Sequence, residues 1–264
     1  MSRRAPVAAL LAGAALLALG GCAQDLPASS GSAAPSSSPT LTGSITVDAA
    51  ASLNRVLPAL ARSFEQEHPG TTVTFGFGGS SALAAAIVSG APVDVFVAAS
   101  TTTMRTVSDA SLTAAEPVVV ARNRLEIAVP KGNPGKVTGL RDFGDAAKTV
   151  VVCAKEVPCG VAATQVFALA GVTPRPDSYE PDVTSVLTKV AGDNADAGLV
   201  YATDVRSAGS TVEGIPFPEA GKAITDYPIA ALKGSKNPAL AAAWVDWVRA
   251  HESDLQAAGF LAAQ

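Results

Sequence analysis

The chain is poor in the side chains that carry most enzymatic and metal chemistry. Its 264 residues include two His and three Cys, too few for a His-rich metal site or a disulfide-built scaffold. Only 16% of the residues are charged and the formal net charge is −4, which argues against a nucleic-acid-binding protein, whose surface is rich in Lys and Arg. The chain is 48% hydrophobic, enough for a sizeable core in one or two domains.

Motifs of hydrolases and nucleotide-binding proteins are missing or incomplete. The sequence has no Gly-x-Ser-x-Gly elbow, no zinc-ligand spacing and no phosphate-binding loop. Residues 76–81 approach the dinucleotide fingerprint, but Ser81 stands where the third Gly belongs and Asp94 opens a strand instead of ending one. We predict that His68 and His251 lie at the surface, which leaves an exported serine hydrolase without a base.

Residues 1–21 have the organisation of a secretory signal peptide. Two arginines precede an uncharged apolar stretch, which Leu19-Gly20-Gly21-Cys22 closes. This tetrad resembles the lipobox of bacterial lipoproteins, a resemblance that implies cleavage before Cys22 and attachment of a lipid to it. The alternative is an uncleaved anchor helix over residues 5–22, at the short limit of a membrane span. Residues 22–43 are rich in Ser and Pro and predict a flexible, lipidated tether.

From residue 44 onward, predicted strands alternate with predicted helices, the pattern typical of α/β proteins. A strand, a tight turn and a helix start recur at Ser52, Ser80, Cys159 and Val183. Ligands of open α/β sheets bind beyond the carboxyl ends of the strands, where helices begin. Each helix start carries unpaired N–H groups at the positive end of its dipole. Several starts aimed at one point would bind an anion without a basic side chain.

Some of these residues also have simpler structural interpretations. Ser52 and Ser80 suit helix N-caps, positions at which Ser is strongly preferred. Pro58 lies inside the first predicted helix and indicates a kink or a late start.

Two further features leave alternatives open. Tyr201 ends an apolar strand, where its hydroxyl either bonds within the core or points into the crevice. Cys153 and Cys159 flank a Pro in an exported chain, which favours a disulfide. Two free thiols too far apart to bridge are the alternative.

Five segments in order then resemble the molybdate-binding proteins that serve ABC transporters, over residues 45–260. The segments are Ala49-Ala50-Ala51-Ser52-Leu53; Phe77-Gly78-Gly79-Ser80-Ser81-Ala82-Leu83 with Ala91-Pro92-Val93-Asp94; Val157-Pro158-Cys159-Gly160; Asp182-Val183; and Gly198-Leu199-Val200-Tyr201-Ala202-Thr203-Asp204. The chain departs from this family at Cys159, where a small residue such as Ala is common.

The resemblance implies an α/β, two-lobed periplasmic-binding-protein fold. Each lobe is then a mostly parallel sheet flanked by helices, and the ligand lies in the cleft between the lobes. We expect lobe 1 to comprise residues 41–121 plus 229–264, and lobe 2 residues 122–228. The crossovers near residues 122 and 228 are the expected hinge, and closure around the ligand is the expected motion.

The resemblance also implies the ligand and its contacts. Ser52 and Ser80 would supply hydroxyl and N–H groups, Cys159 and Val183 backbone N–H groups, and Tyr201 its hydroxyl. All are donors, so a fully ionised oxyanion suits them. A proton on phosphate would lack a partner, at a cost of about 1–3 kcal/mol.

We therefore expect an extracytoplasmic protein that binds molybdate, and also tungstate, and delivers it to an ABC transporter permease. It would be a monomer, lipid-anchored through Cys22 to the outer face of the cell membrane. It would be no enzyme, would use no cofactor and no direct metal ligand, and would not bind nucleic acid. The alternatives are a receptor for sulfate or another tetrahedral oxyanion, an exported serine hydrolase using Ser52 or Ser80, and a purely structural or adhesive lipoprotein.

Overall fold

The computed structural model describes residues 41–263. The predicted signal peptide, Cys22 and residues 22–40 of the predicted tether lie outside this range. The described chain forms two five-stranded sheets, each flanked by helices, which confirms the predicted fold class.

The first sheet has the strand order β2-β1-β3-β10-β4. Its strands are β1 (Gly43–Ala50), β2 (Thr71–Gly78), β3 (Val95–Val97), β4 (Val118–Asn123) and β10 (Thr225–Ala231). β1 pairs in parallel with β2 and β3, whereas β10 runs antiparallel to both of its neighbours. The sheet is therefore mixed, with a single reversed strand.

The second sheet has the order β7-β6-β8-β5-β9 and repeats this plan. Its strands are β5 (Leu125–Pro130), β6 (Val150–Cys153), β7 (Ser178–Glu180), β8 (Ala197–Tyr201) and β9 (Val212–Ile215). β6 pairs in parallel with β7 and β8, and β5 is the single reversed strand, antiparallel to β8 and β9.

Eight α-helices connect and cover these strands within residues 41–263. They are α1 (Val56–Glu67), α2 (Ser80–Val88), α3 (Thr101–Asp109), α4 (Pro158–Ala170), α5 (Val183–Ala191), α6 (Ala202–Ala208), α7 (Pro238–Ala250) and α8 (Glu252–Ala257). Four short 3₁₀ turns complete the set: Ala51–Leu53, Leu140–Gly144, Gly209–Thr211 and Pro218–Lys222. Pro58 falls in the first turn of α1, so the late start predicted for this helix is confirmed.

Alternation along the strands gives the first sheet a hydrophobic cluster on each face. Val95 and Val97 join the cluster that contains Trp244 of α7, while Phe96 between them joins the cluster under α2 and α3. The C-terminal helices thus belong to the first sheet. The second sheet has its own core, which includes Phe143 and Phe167.

The chain passes between the sheets twice, at Arg124 between β4 and β5 and at residues 216–224 between β9 and β10. The lobe boundaries predicted at 121/122 and 228/229 fall inside β4 and β10. Both strands pair entirely within the first sheet, so the first passage lies two to three residues after its predicted position and the second ends four residues before it. The tight crossing at Arg124 has no Gly or Pro to mark it.

Candidate anion-binding site

The five residues predicted to bind a ligand line one small cavity. Ser52, Ser80, Cys159, Val183 and Tyr201 all belong to its wall. They are buried, with exposed fractions of 7% or less. The volume is about 20 Å³, little more than a water molecule needs, so only a compact ligand fits.

Residues at the starts of four helical elements line this cavity. Ser52 lies in the 3₁₀ turn after β1, and Ser80 is the first residue of α2 after β2. Cys159 and Val183 hold the same places in the second lobe, at the starts of α4 and α5 after β6 and β7. At such positions an N–H has no acceptor in its own helix. The starts of three α-helices and one 3₁₀ turn therefore border the cavity, an arrangement that favours an anion.

The prediction that Ser52 and Ser80 are helix N-caps was wrong. The N-cap of α2 is Gly79, and Ser80 Oγ instead accepts a hydrogen bond of 3.0 Å from the Ala99 N–H. Ser52 Oγ lies 2.8 Å from the hydroxyl of Tyr227 on β10. Both seryl hydroxyls are thus held by groups outside their own helices, one in the wall of the cavity (Ala99) and one behind it (Tyr227).

The Tyr201 hydroxyl is a buried donor without a partner. Among the described residues no group lies in hydrogen-bonding geometry with it, although Tyr201 lines the cavity. Burial raises the pKa of this hydroxyl above its ordinary value, and the nearby hydroxyls of Thr225 and Tyr227 lower it only in part. A neutral, unbonded hydroxyl beside a cavity suits a ligand that accepts hydrogen bonds.

The wall of the cavity contains no Lys, Arg or His. Asp182 is its charged member, and the carboxylate of Asp182 caps α5 by accepting from the Ser185 N–H at 2.8 Å. The attraction for an anion must therefore come from N–H and O–H dipoles.

The two lobes touch each other at the rim of the cavity. Ser81 Oγ of α2 donates to the carbonyl of Glu156 across the cleft at 2.7 Å. Gly79 faces the Pro181 carbonyl so closely that an added Cβ would lie 2.4 Å from that oxygen. Gly79 was not among the predicted contacts, although the Gly78-Gly79 pair is a signal for close backbone approach.

A disulfide joins Cys153 at the end of β6 to Cys159 in the first turn of α4. The two Cα atoms are 5.7 Å apart, within the usual range for such a bond. The adjacent Gly160 packs on the Ala154 carbonyl, where an added Cβ would lie 1.8 Å from the oxygen. The start of α4 is therefore held against β6 both covalently and by close packing.

Residues 41–263 contain neither a candidate metal site nor a candidate membrane-spanning helix. No cluster of three or more His, Cys, Asp and Glu side chains could hold a metal ion there. In the same range, every helix is too short or too polar to cross a membrane.

Two α/β lobes, joined by two crossings and closed on a small cavity, are the architecture of a binding protein. The chain belongs to the bacterial extracellular solute-binding protein family, whose family model matches residues 45–260. The resemblance inferred from the sequence is confirmed. The molybdate-binding protein ModA of Mycobacterium tuberculosis (strain ATCC 25618 / H37Rv) is 41% identical over 224 residues, which cover 83% of this chain and 86% of that protein.

Solved structures share the fold at lower identity. The periplasmic molybdate-binding protein of Azotobacter vinelandii matches with a TM-score of 0.72 and 21% identity, covering 83% of this chain and 100% of that one. The sulfate-binding protein SubI from Mycobacterium tuberculosis H37Rv matches with a TM-score of 0.73 and 15% identity, covering 83% of this chain and 86% of that one. At these identities both comparisons concern the fold alone.

A buried carboxyl lies directly behind the Tyr201 backbone. Asp204, which is 6% exposed, accepts a hydrogen bond of 2.9 Å from the Tyr201 N–H. Burial raises the pKa of Asp204 to about 7, the Asp182 carboxylate also raises it, and the Tyr201 N–H lowers it. The native state therefore binds more protons than the unfolded chain between about pH 4 and pH 7, so Asp204 costs stability as the pH rises through that interval.

Asp204→Asn should abolish this dependence, because the amide oxygen still accepts from Tyr201 but carries no charge. We expect the variant to exceed the wild type in stability at pH 8 by on the order of 3 kcal/mol, with the gap closing toward pH 4. Thermal unfolding between pH 4 and pH 8 measures this difference. Asp109→Asn, at an exposed site, should show the wild-type profile. A constant gap across the pH range would contradict the prediction.

Proposed function

We propose that this protein captures molybdate, and also tungstate, outside the cytoplasm and delivers it to an ABC transporter. The unpartnered Tyr201 hydroxyl, facing a cavity ringed by helix starts, carries the proposal. Ser52, Ser80, Cys159, Val183 and Tyr201 are the proposed ligand contacts. The 41%-identical relative named as a molybdate-binding protein supports the same ligand.

The donors of the cavity favour an oxyanion that carries no proton. Molybdate, tungstate and sulfate are fully ionised near neutral pH, so each of their oxygens accepts hydrogen bonds. Hydrogen phosphate brings a donor of its own, and an unmatched buried donor costs about 1–3 kcal/mol. Sulfate is the second candidate, because it can accept hydrogen bonds from the same donors. Molybdate differs from sulfate in its longer metal–oxygen bonds, so the size of the cavity must distinguish the two anions.

A binding role without catalysis agrees with the surroundings of the two serines. Neither His68 nor His251 belongs to the wall of the cavity. His251 stacks on Trp247 in α7, and His68 lies against Phe64 in α1. With no base at Ser52 or Ser80, nucleophilic attack has no activating partner. The protein also needs no cofactor for this role, and we propose that it works as a monomer.

Thermal unfolding at equal ionic strength in molybdate, tungstate, sulfate or phosphate tests the ligand. A ligand at about 1,000 times its Kd adds roughly 4 kcal/mol of stability, so we expect a large shift with molybdate and tungstate and little with phosphate. An increase in unfolding temperature with sulfate alone would identify sulfate as the ligand and leave the proposed site unchanged. No shift with any oxyanion would overturn the proposed function.

Tyr201→Phe should separate binding from folding. Because the hydroxyl has no protein partner, its loss should leave the unfolding temperature of the free protein unchanged or raise it. Isothermal titration should show molybdate affinity reduced about tenfold or more, the effect of one lost hydrogen bond to a charged ligand. Tyr179→Phe, at an exposed site on β7, is the matched control and should bind like the wild type. Undiminished affinity in Tyr201→Phe would remove Tyr201 from the site.

The proposed location is the outer face of the cell membrane, with a lipid on Cys22 and residues 23–40 as the tether, since Leu41 already packs on the core of the first lobe and Gly43 opens β1. The lipobox-like Leu19-Gly20-Gly21-Cys22 carries this proposal. Cys22→Ser should abolish incorporation of a labelled fatty acid and release the protein from the membrane fraction. Normal acylation of this variant would end the lipoprotein assignment without affecting the ligand assignment.

A further inference from the structure

Four buried polar side chains form a chain from the cavity to the crossing between the lobes. Ser52 Oγ lies 2.8 Å from the Tyr227 hydroxyl. Asn123, at the end of β4, directs its Nδ2 to the Tyr227 hydroxyl at 3.5 Å and to Thr203 Oγ1 at 2.7 Å. All four residues are at most 7% exposed, so water does not satisfy them from outside.

The orientation of the Asn123 amide follows from its other hydrogen bond. Asn123 Oδ1 accepts from the Arg124 N–H at 2.9 Å. This bond leaves Nδ2 on the side of Tyr227 and Thr203. An amide nitrogen donates hydrogen bonds and accepts none, so the Tyr227 hydroxyl cannot give its proton to Asn123.

The proton of Tyr227 therefore has one acceptor in hydrogen-bonding geometry among the described residues, Ser52 Oγ. The Tyr201 hydroxyl lies near Tyr227 but outside hydrogen-bonding geometry, whereas Ser52 Oγ is within 2.8 Å, so Ser52 is the acceptor that the geometry favours. If Ser52 donated to Tyr227 instead, the phenolic proton would be buried without an acceptor, at a cost of about 1–3 kcal/mol. Ser52 Oγ thus accepts from Tyr227, and its own proton is free for the cavity.

The Ser80 hydroxyl also has its proton free, but a different group bonds to its oxygen. Its Oγ accepts from the Ala99 N–H, which likewise leaves the hydroxyl proton free. Tyr201 contributes a third unbonded hydroxyl. The three hydroxyls of the cavity are thereby set as donors before a ligand arrives.

We propose that Tyr227 and Asn123 are positioning residues that fix the Ser52 hydroxyl as a donor, and that this direction selects against oxyanions that carry a proton. The inference deepens the proposed function and depends on it. Neither residue contacts the ligand. They determine whether the Ser52 hydroxyl turns its proton or an oxygen lone pair toward the ligand.

Asn123→Asp tests the direction most sharply, because a carboxylate in place of Nδ2 accepts the Tyr227 proton. Tyr227 would then accept from Ser52, and the Ser52 oxygen would face the cavity as an acceptor. Titrations at pH 8 should compare sulfate with hydrogen phosphate, which carry the same charge, so that repulsion by the new carboxylate cancels. We expect the phosphate-to-sulfate affinity ratio to rise about tenfold, and molybdate affinity to fall.

Tyr227→Phe is the uncharged second variant and removes a single oxygen atom. It frees the Ser52 hydroxyl to turn either way, so the same ratio should rise several-fold. Thr203→Val is the matched control: it removes the other partner of Asn123 and leaves the Tyr227–Ser52 pair intact. Its ratio should equal that of the wild type, whatever its stability.

The outcomes distinguish this inference from the proposed function. If the wild type binds molybdate but the phosphate-to-sulfate ratio stays unchanged in folded Tyr227→Phe, the positioning role is refuted. An equal rise in Thr203→Val would also refute it, since the effect would then follow from general loosening. If the wild type binds no oxyanion, the proposed function itself fails.

Discussion

A cavity that holds an anion without any positive side chain must gather dipoles, and this requirement organises the molecule. A single helix start supplies a few N–H groups and a partial charge of about half a unit. Three α-helix starts and one 3₁₀ turn border the cavity, two from each lobe: Ser52 and Ser80 on one side, Cys159 and Val183 on the other. Neither lobe alone has the whole set, so the site exists only where the lobes meet.

Close backbone packing, both between the lobes and within the second lobe, explains features that otherwise look unrelated. Gly79 tolerates the Pro181 carbonyl because it has no Cβ, and Gly160 does the same for Ala154. The disulfide between Cys153 and Cys159 holds the start of α4 at the end of β6. The two glycines allow backbone segments to approach more closely than a Cβ would permit, and the disulfide holds one of these segments in place. Cys159, where the chain departs from the common family pattern, therefore still lies in the wall of the cavity.

The sequence predicted the repeated strand–turn–helix units well, because apolar runs and helix starts are local signals. All five predicted contact residues line one cavity for the same reason: each lies at the carboxyl end of a strand. The partners of the seryl hydroxyls were not predictable. Tyr227 is 175 positions from Ser52, and no local pattern links an apolar strand at the C-terminal side to a turn near residue 52. The lobe crossings were displaced by a few residues, because Arg124 has no Gly or Pro beside it to mark the first crossing and the boundary predicted at 228/229 lies inside β10.

The position of β10 also fixes the order in which the molecule can be completed. β10 lies between β3 and β4 in the first sheet, and Thr225 pairs with Asn123. The whole second lobe is thus a loop closed by neighbouring residues of two adjacent strands. β3 and β4 cannot be joined through β10 until about a hundred residues after Asn123 have been synthesised. The entropy cost of closing this loop grows only slowly with its length. For a chain made from its N-terminus and passed across a membrane, the second lobe is available for folding before the first, and the anion site comes last.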